Sequence, residues 1–361
     1  MTVTPERMPT REERRDAFAA RIGEALMASM ELQAVYLGER LGLYAALRDG
    51  GPATAADLSE RAGIDERYAL EWLEQQAIAG VLDVDDVTAA AADRRFTLPA
   101  GHAEVLIDEE SPYLLGPSAR FVVGFAQRMP DLLGAYRTGA GVDWADYGPD
   151  VIEAQEAFNR PHFQHSLPEW IAALPDIADR LREGGRVADV GCGTGWSSVW
   201  FARHYPGSRV DGIDIDPGSI ERARQRASHE GVADRVRFLH APEPDVRYDL
   251  VAIFEALHDM NDPVSVLAMA HGMLAEGGAV LIADERTDDA FNTSPDSLDR
   301  MFYGFSVLAC LPNGRVGDTS VATGTVIRPA TVERFAREAG FQTVTILPTE
   351  HGQFRFYRLD P

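Results

Sequence analysis

Apolar residues recur every three or four positions in the first part of the chain. From Ile22 to Leu47 this spacing predicts one long helix or two shorter ones. The pattern then predicts a helix over 55–62 and a second helix that has Asp65 as its N-cap and ends at Gly80. The stretches "VLDVDD" and "RRFTLPA" follow and predict a two-stranded wing. This order of elements is typical of a winged-helix domain, which we expect over 21–100.

After residue 184 the pattern changes to short apolar runs that alternate with helical segments. Such alternation predicts an open α/β sheet of parallel strands with right-handed crossovers, in a domain over 181–361. Ligands of these sheets bind beyond the carboxyl ends of the strands. The predicted strands span 186–190, 209–214, 235–240, 248–254, 278–284, 341–347 and 353–359.

Two further segments complete the predicted organisation. Residues 1–18 are charged and have no apolar period, so we expect a flexible arm over 1–20 that is either frayed or helical. Residues 101–180 mix helical runs with glycine, proline and aromatic residues, and we expect a helical connector that walls a substrate pocket. The length of 361 residues suits two hydrophobic cores.

The charge balance excludes several functions. The formal net charge is −23, and all 34 basic residues other than histidine are arginine, so lysine-based Schiff-base chemistry is ruled out. Residues 51–86 carry nine acidic and two basic side chains, and such a recognition helix would be repelled by phosphate. We therefore predict that the protein has no nucleic-acid partner. The alternative is a winged-helix transcriptional regulator whose α/β domain senses a ligand.

The compartment follows from the cysteines and the apolar runs. Cys192 and Cys310 are too few for a disulfide framework, and the first 18 residues lack the apolar region of a signal peptide. No apolar stretch is long enough to cross a membrane. We expect a cytoplasmic protein that has no membrane partner.

The sequence "VADVGCGTGW" at 187–196 is the strongest functional motif. A glycine-rich turn between strand and helix lets either a pyrophosphate or the sulfonium amino acid of S-adenosylmethionine (SAM) approach the backbone amides. The dinucleotide fingerprint requires its third glycine at Trp196, which is too bulky for that packing role. Asp214 closes the next predicted strand, where a carboxylate accepts hydrogen bonds from both ribose hydroxyls.

With these motifs, residues 186–359 resemble a class I SAM-dependent methyltransferase, and the whole chain is similar to bacterial small-molecule methyltransferases with an N-terminal winged helix. The resemblance implies SAM as cofactor, S-adenosylhomocysteine as product, a Rossmann-like seven-stranded sheet with its last strand antiparallel, and a homodimer formed through the N-terminal domain. His240 stands where the family usually has an acid for the adenine, and a neutral imidazole can also accept a hydrogen bond. The expected cofactor residues are Asp189, Gly191, Cys192, Gly193, Thr194, Gly195, Asp214, Ile215, His240, Ala241 and Glu255.

The segment "EALHDMND" supplies the candidate base. His258 corresponds in position to the general base of small-molecule O-methyltransferases, and Glu285 resembles the acid that orients it. A carboxylate beside an imidazole favours one tautomer and makes it more basic. The simpler alternative is that His258 and Asp259 only cap a turn. His258 and Asp259 with a distant third ligand could also hold a metal, but no C-x-x-C or H-x-x-x-H spacing supports it, and we predict none.

The sequence contains fewer signals for the residues that would bind the methyl acceptor. A helical insertion in "DSLDRMFYGFSVLACLPNGR" would cap the substrate, which makes Arg300, Tyr303 and Phe305 candidates, together with Phe158 of the preceding connector. For the aromatic residues, core packing is the simpler explanation. We expect methyl transfer to a hydroxyl of a secondary metabolite. N- or C-methylation and other SAM chemistry in the same fold stay open.

Overall fold

Capping signals set the helix boundaries in the first part of the molecule. The computed structural model describes residues 7–317 and 320–361, and contacts divide the chain into two units after Val123. Asp65 is the N-cap of the second predicted helix, and its carboxylate accepts hydrogen bonds from the N–H groups of Arg67 and Tyr68. Gly63 ends the preceding helix with φ 66°, a left-handed value that favours glycine.

The first unit is helical apart from a short hairpin, so the predicted winged-helix order is confirmed. Its sheet is the antiparallel pair β1 (Asp83–Val84) and β2 (Phe96–Thr97). Its core is built around Tyr44, Trp72 and Phe96. The helices are α1 (Arg11–Arg40), α2 (Leu43–Gly50), α3 (Ala55–Ala62), α4 (Glu66–Ile78), α5 (Ala100–Ile107) and the beginning of α6 (Ala119–Thr138).

The structure divides the chain differently from the predicted domains in two places. Residues 11–20 belong to α1, because Thr10 and Glu13 form a capping box that starts the helix there, and residues 1–6 lie outside the described part. The predicted connector over 101–180 is not a unit of its own, because the boundary between the two units falls inside it, at Val123. Local periodicity predicts helices but not which core they join.

The second unit contains the predicted α/β sheet. Its order is β5-β4-β3-β6-β7-β9-β8, with β9 antiparallel to both of its neighbours and the other pairs parallel. This arrangement confirms the predicted fold class, including the antiparallel last strand. The strands are β3 (Arg186–Val190), β4 (Arg209–Ile213), β5 (Val236–Leu239), β6 (Tyr248–Phe254), β7 (Leu274–Glu285), β8 (Thr343–Ile346) and β9 (Phe354–Asp360).

Helices cover both faces of this sheet. Alternating strand residues enter two cores: Val187 and Leu250 pack in one, and Ala188 and Val251 in the other. The helices are α7 (Gly148–His165), α8 (Leu167–Ala172), α9 (Pro175–Arg182), α10 (Trp196–His204), α11 (Pro217–His229), α12 (Pro263–Met273), α13 (Asp299–Phe305), α14 (Leu311–Asn313) and α15 (Pro329–Glu338). No helix among the described residues has both the length and the apolar character needed to cross a membrane.

Candidate active site

The glycine loop after β3 has a backbone that only glycine adopts easily. Gly191, Gly193 and Gly195 all have positive φ, at 75°, 50° and 86°. A Cβ on Gly191 would lie 2.7 Å from Cβ of Ala256, and one on Gly195 would lie 2.7 Å from the ring of Phe238. Gly193 differs, because a Cβ there would meet nothing within 4 Å. Two of the glycines are therefore required by packing, and the middle one borders open space.

Asp214 lies against this loop, as the motif spacing predicts. One carboxylate oxygen accepts a hydrogen bond from the N–H of Gly193 at 2.8 Å, and the other accepts from the N–H of Asp216 at 2.9 Å. Burial raises the pKa of Asp214 above its ordinary value. The adjacent Ile215 is 89% exposed, which is unusual for an isoleucine next to a half-buried acid.

The end of β5 lies beside the glycine loop and Asp214, and together they form a cleft at this edge of the sheet. The N–H of Asp214 donates to the carbonyl of Leu239, so the ends of β4 and β5 lie side by side. His240 and Ala241 follow Leu239 and are exposed. The residues predicted for the adenosine half of the cofactor therefore meet at the carboxyl ends of neighbouring strands, where α/β sheets bind ligands.

Asp189, predicted to contact the cofactor, has internal partners in the structure. Its buried carboxylate accepts hydrogen bonds from the hydroxyls of Ser197 and Ser198, at 2.6 and 2.5 Å, and burial raises its pKa to about 6. These bonds tie the end of β3 to the first turn of α10. Cys192 is also buried, and burial raises the pKa of its thiol well above the ordinary value. A cofactor contact for either side chain stays a prediction.

Trp196, which argued against a dinucleotide, is held between two arginines. The guanidinium of Arg160 lies 4.6 Å from the centroid of the indole, and that of Arg226 lies 4.4 Å from it. Arg226 also donates to the carbonyl of Thr194 and pairs with Glu156 at 2.7 Å. Helices α7 and α11 thereby fix the glycine loop from outside. This arrangement was not predictable from local sequence patterns, because Arg160, Trp196 and Arg226 are far apart in the chain.

Glu255 follows β6 with φ 50°, a strained value for a residue with a side chain. Its N–H donates to the carbonyl of Ala283 at 2.7 Å, which continues the pairing of β6 with β7. Its carboxylate accepts from the side-chain amide of Gln155 on α7 at 3.1 Å, and burial raises its pKa to about 7. This conformation places an acid next to Ala256, whose Cβ would be 2.7 Å from a Cβ added to Gly191 of the loop.

His258 lies in a turn of 3₁₀ helix over Leu257–Asp259 and is 2% exposed. Its Nδ1 lies 2.7 Å from Oδ1 of Asp284 and 2.9 Å from Oε2 of Glu285, both at the end of β7. Burial alone would lower the pKa of His258, but Glu285, Asp284 and Asp259 outweigh it and raise that pKa well above the ordinary value. The structure thus places the predicted Glu285 beside His258 and adds Asp284, which the sequence analysis missed.

Asp259 and Cys310 lie on another part of the same imidazole. Oδ1 of Asp259 is 3.5 Å from Nε2 of His258. Cys310 ends a π-helical turn, Ser306–Cys310, that continues α13, and π-helical turns are frequent at functional sites. A ring nitrogen of His258, a carboxylate oxygen of Asp259 and Sγ of Cys310 all lie within 4.8 Å of one another. Cys310 was not among the predicted site residues.

The residues predicted to bind the methyl acceptor lie on α7 and α13. Phe158 on α7 is half-buried, and its ring packs edge-on against His162 with centroids 6.0 Å apart. Arg300 on α13 is exposed, and the hydroxyl of Tyr303 lies 3.5 Å from the guanidinium of Arg328. The ring of Phe305 packs edge-on against Phe125. A substrate role for these residues stays a prediction.

Comparison with known proteins agrees with this geometry. Residues 188–280 match the family described as "Methyltransferase domain", and residues 28–107 match the "Rv2258c-like winged HTH domain". The chain has a methyltransferase domain behind a winged-helix domain. The family resemblance predicted from the glycine motif and Asp214 is therefore confirmed.

Individual relatives of the methyltransferase domain support the same assignment. The methyltransferase GfsG of Streptomyces halstedii is 30% identical over 157 residues, which are 39% of this chain and 56% of that protein. The chain therefore matches only about half the length of this relative.

Solved structures share the fold over nearly the whole chain. Mitomycin 7-O-methyltransferase has a TM-score of 0.68 at 21% identity and covers 96% of this chain and 98% of its own. Human N-acetylserotonin methyltransferase, in complex with SAM, has a TM-score of 0.67 at 18% identity and covers 98% of this chain and 99% of its own.

Proposed function

We propose that this protein transfers a methyl group from SAM to a hydroxyl of a small molecule, a secondary metabolite, and releases S-adenosylhomocysteine. The observation that carries the proposal is the hydrogen bond from the N–H of Gly193 to Asp214, which joins the bare loop to the acid of the neighbouring strand. The name of one structural neighbour, mitomycin 7-O-methyltransferase, specifies a hydroxyl acceptor.

The residues of the cleft fit SAM. The open space at Gly193 is the room that a Cβ would fill, so the methionine part can approach the backbone there. Asp214 has the position for the ribose hydroxyls, and the exposed Ile215 offers an apolar surface to the adenine. A dinucleotide fits less well, because the arginine-clamped indole of Trp196 occupies the position of the third fingerprint glycine.

Glu255 supplies a carboxylate for the opposite end of the cofactor. It follows the strand next to β3, and the residue after it, Ala256, leaves no room for a side chain at Gly191. The α-ammonium group of the methionine part would complement its charge. The bound cofactor supplies an electrophilic methyl group, so the remaining tasks of the protein are to align the acceptor, exclude water and remove a proton.

His258 is the proposed base. Nδ1 faces the carboxylates of Asp284 and Glu285, so the neutral form of the ring carries its hydrogen on Nδ1 and has its lone pair on Nε2. Because the same acids raise the pKa of His258, this neutral form is favoured at a pH well above the ordinary pKa of histidine. The acceptor hydroxyl would give its proton to Nε2 as its oxygen attacks. Asp284 and Glu285 act as positioning residues, because they hold the ring and stabilise the imidazolium that forms.

The test of donor binding is calorimetry with S-adenosylhomocysteine. We expect binding by the wild type and a 10- to 100-fold weaker affinity in Asp214→Asn, because one charged hydrogen-bond acceptor is worth about 1.5–3 kcal/mol. Asp234→Asn is the matched control, since that side chain is 74% exposed and lies in the turn before β5. No binding by the wild type, or equal affinities in wild type and Asp214→Asn, would contradict the proposal.

A homodimer is part of the proposal. Helix α1 exposes large apolar side chains at helical spacing along one side, and such a face suits a second copy of the same helix. The exposed residues on it are Phe18, Ile22, Leu26, Met27 and Met30.

A further inference from the structure

Three side chains of different chemistry converge beside the His258 ring. Nitrogen from His258, oxygen from Asp259 and sulfur from Cys310 lie within 4.8 Å of one another. Imidazole, carboxylate and thiolate together form a donor set typical of zinc. The first two residues come from the turn after β6 and the third from the π-helical turn Ser306–Cys310, so only the fold brings them together.

The imidazole is oriented as in known metal centres. A histidine that binds a metal almost always donates its other ring N–H to a carboxylate or carbonyl, which fixes the tautomer. Here Nδ1 faces Asp284 and Glu285 at 2.7 and 2.9 Å, so Nε2 is the nitrogen available to the cluster. Asp284 and Glu285 would then be the outer partners of the histidine ligand.

A second observation is an unsatisfied acceptor. Oδ1 of Asp259 is shielded from solvent and makes no hydrogen bond of normal geometry in the described part of the chain, and the groups that face this carboxylate are Nε2 of His258, 3.5 Å from Oδ1, and the thiol of Cys310. A buried carboxylate oxygen without a partner is costly, and a cation is one way to compensate it. The surroundings are also acidic, since Glu255, Asp284 and Glu285 act electrostatically on or around the same imidazole.

We propose that His258, Asp259 and Cys310 bind one zinc ion per chain, with a fourth position open to water. Asp259 keeps 27% of its side chain exposed and Cys310 is half-buried, so an ion has a route to the cluster. Three protein ligands with one open position are typical of zinc sites that exchange a ligand. The earlier prediction of no metal relied on local spacing, which does not detect ligands from distant segments.

A zinc ion at this site would affect the proposed methyl transfer, and this part of the inference rests on the proposed function. Zinc would use the same Nε2 lone pair that removes the proton of the acceptor. Zinc binding and proton transfer at His258 are therefore alternatives, and zinc acts as an inhibitor of methyl transfer that competes with the acceptor.

Cobalt(II) tests the site in the full-length protein. After treatment with a chelator and dialysis, we expect one cobalt ion per chain, a cobalt–thiolate charge-transfer absorption, and loss of that absorption when zinc is added. Cys310→Ser should remove the absorption and weaken zinc binding by 10-fold or more. Cys192→Ser is the matched control, because it removes the other cysteine and should keep both signals.

A second variant tests the outer partner. Asp284→Asn should weaken zinc binding 10- to 100-fold, the usual effect of removing a carboxylate partner from a ligating histidine. Circular dichroism of each variant establishes that it is folded, and the wild-type absorption tests the site even if a variant does not fold.

The outcomes separate this inference from the proposed function. Absence of a stoichiometric ion in the wild type, or an absorption that persists in Cys310→Ser, would overturn the zinc site. Calorimetry with S-adenosylhomocysteine on the same samples reports on the donor site alone. Donor binding without zinc binding removes only the inference, and zinc binding without donor binding removes only the proposed function.

Discussion

At the residue scale, His258 is where proton transfer can be separated from donor binding. His258→Gln keeps a polar side chain but has no basic nitrogen, so we expect turnover to fall by about 10²- to 10⁴-fold. The affinity for S-adenosylhomocysteine should stay within twofold, since the glycine loop and Asp214 are untouched. Steady-state kinetics and calorimetry measure the two effects.

His229→Gln is the control for this change, because His229 is exposed in the last turn of α11. Its turnover should equal that of the wild type. If His258→Gln kept turnover within a few-fold of the wild type, His258 would not be the base, and the turn-capping role would be the better explanation.

The loop glycines allow a second comparison. Gly191→Ala combines a left-handed φ with a Cβ 2.7 Å from Ala256, whereas Gly193→Ala has the left-handed φ but open space. The conformation costs about 1–2 kcal/mol at either position, and the clash adds about 1–3 kcal/mol at Gly191 alone. Urea unfolding should therefore show Gly191→Ala as the less stable variant. Equal losses would mean that the neighbouring Ala256 moves aside without cost.

Single residues differ in how far the sequence predicts them. Asp214 was predictable because, in this fold, the acid at the end of the second strand follows the glycine loop at a nearly constant number of residues. Asp284 was not predicted because adjacent residues of a strand normally point to opposite faces of the sheet. Here β7 ends at Glu285, and the carboxylates of both Asp284 and Glu285 reach His258. Cys310 was missed because only tertiary structure brings the α13 segment to His258.

At the element scale, α1 provides a test of assembly. Ile22 and Leu26 are 54% and 58% exposed on one side of this helix, and the exposed Ala17 lies on the side opposite Leu26. Charges on an apolar face that is buried between two copies are strongly unfavourable. We expect Ile22→Glu with Leu26→Glu to be a monomer by light scattering and Ala17→Glu to be a dimer like the wild type. A monomeric wild type would contradict the homodimer.

Strands were predicted better at their cores than at their ends. The buried runs of β3 and β6 match the predicted spans 186–190 and 248–254. Strand β7 begins at Leu274, four positions before the predicted start, because a register shift opposite Tyr248 accommodates the glycines of "AEGG". Such an irregularity depends on the partner strand, so local patterning does not predict it.

At the scale of the whole molecule, two half-buried histidines predict an acid-sensitive fold. His162 and His351 pack against each other with ring centroids 5.0 Å apart, and burial lowers the pKa of each to about 4. Nδ1 of His351 accepts hydrogen bonds from the N–H groups of Gln353 and Phe354, which requires it to be unprotonated. The nearby charge of Arg286 lowers the pKa of His351 further.

The sign of the pH effect follows from these directions. The unfolded chain protonates both histidines below their ordinary pKa of about 6.5, whereas the folded protein keeps them neutral down to about 4. Their contribution to the free energy of unfolding is therefore complete above pH 6.5 and is lost as the pH falls toward 4. Buried acids with raised pKa, such as Glu255, act in the opposite direction.

A variant isolates the histidine effect from that of the acids. His162→Phe keeps an aromatic ring among Phe158, His351 and Phe354 but does not titrate. Urea unfolding at pH 7.5 and pH 5 should show a smaller loss of stability for this variant than for the wild type. His229→Gln should lose as much as the wild type. The same loss in His162→Phe and in the wild type would mean that His162 is not kept neutral.

The position of β9 between β7 and β8 connects the partners of His258 to a segment about 70 residues away along the chain. The end of β7 that carries Asp284 and Glu285 pairs with Arg355 and Phe354 of β9. The proposed donor site uses the ends of β3, β4 and β5, on the other side of β6. Loosening β9 should therefore disturb the proposed proton transfer more than the proposed donor binding.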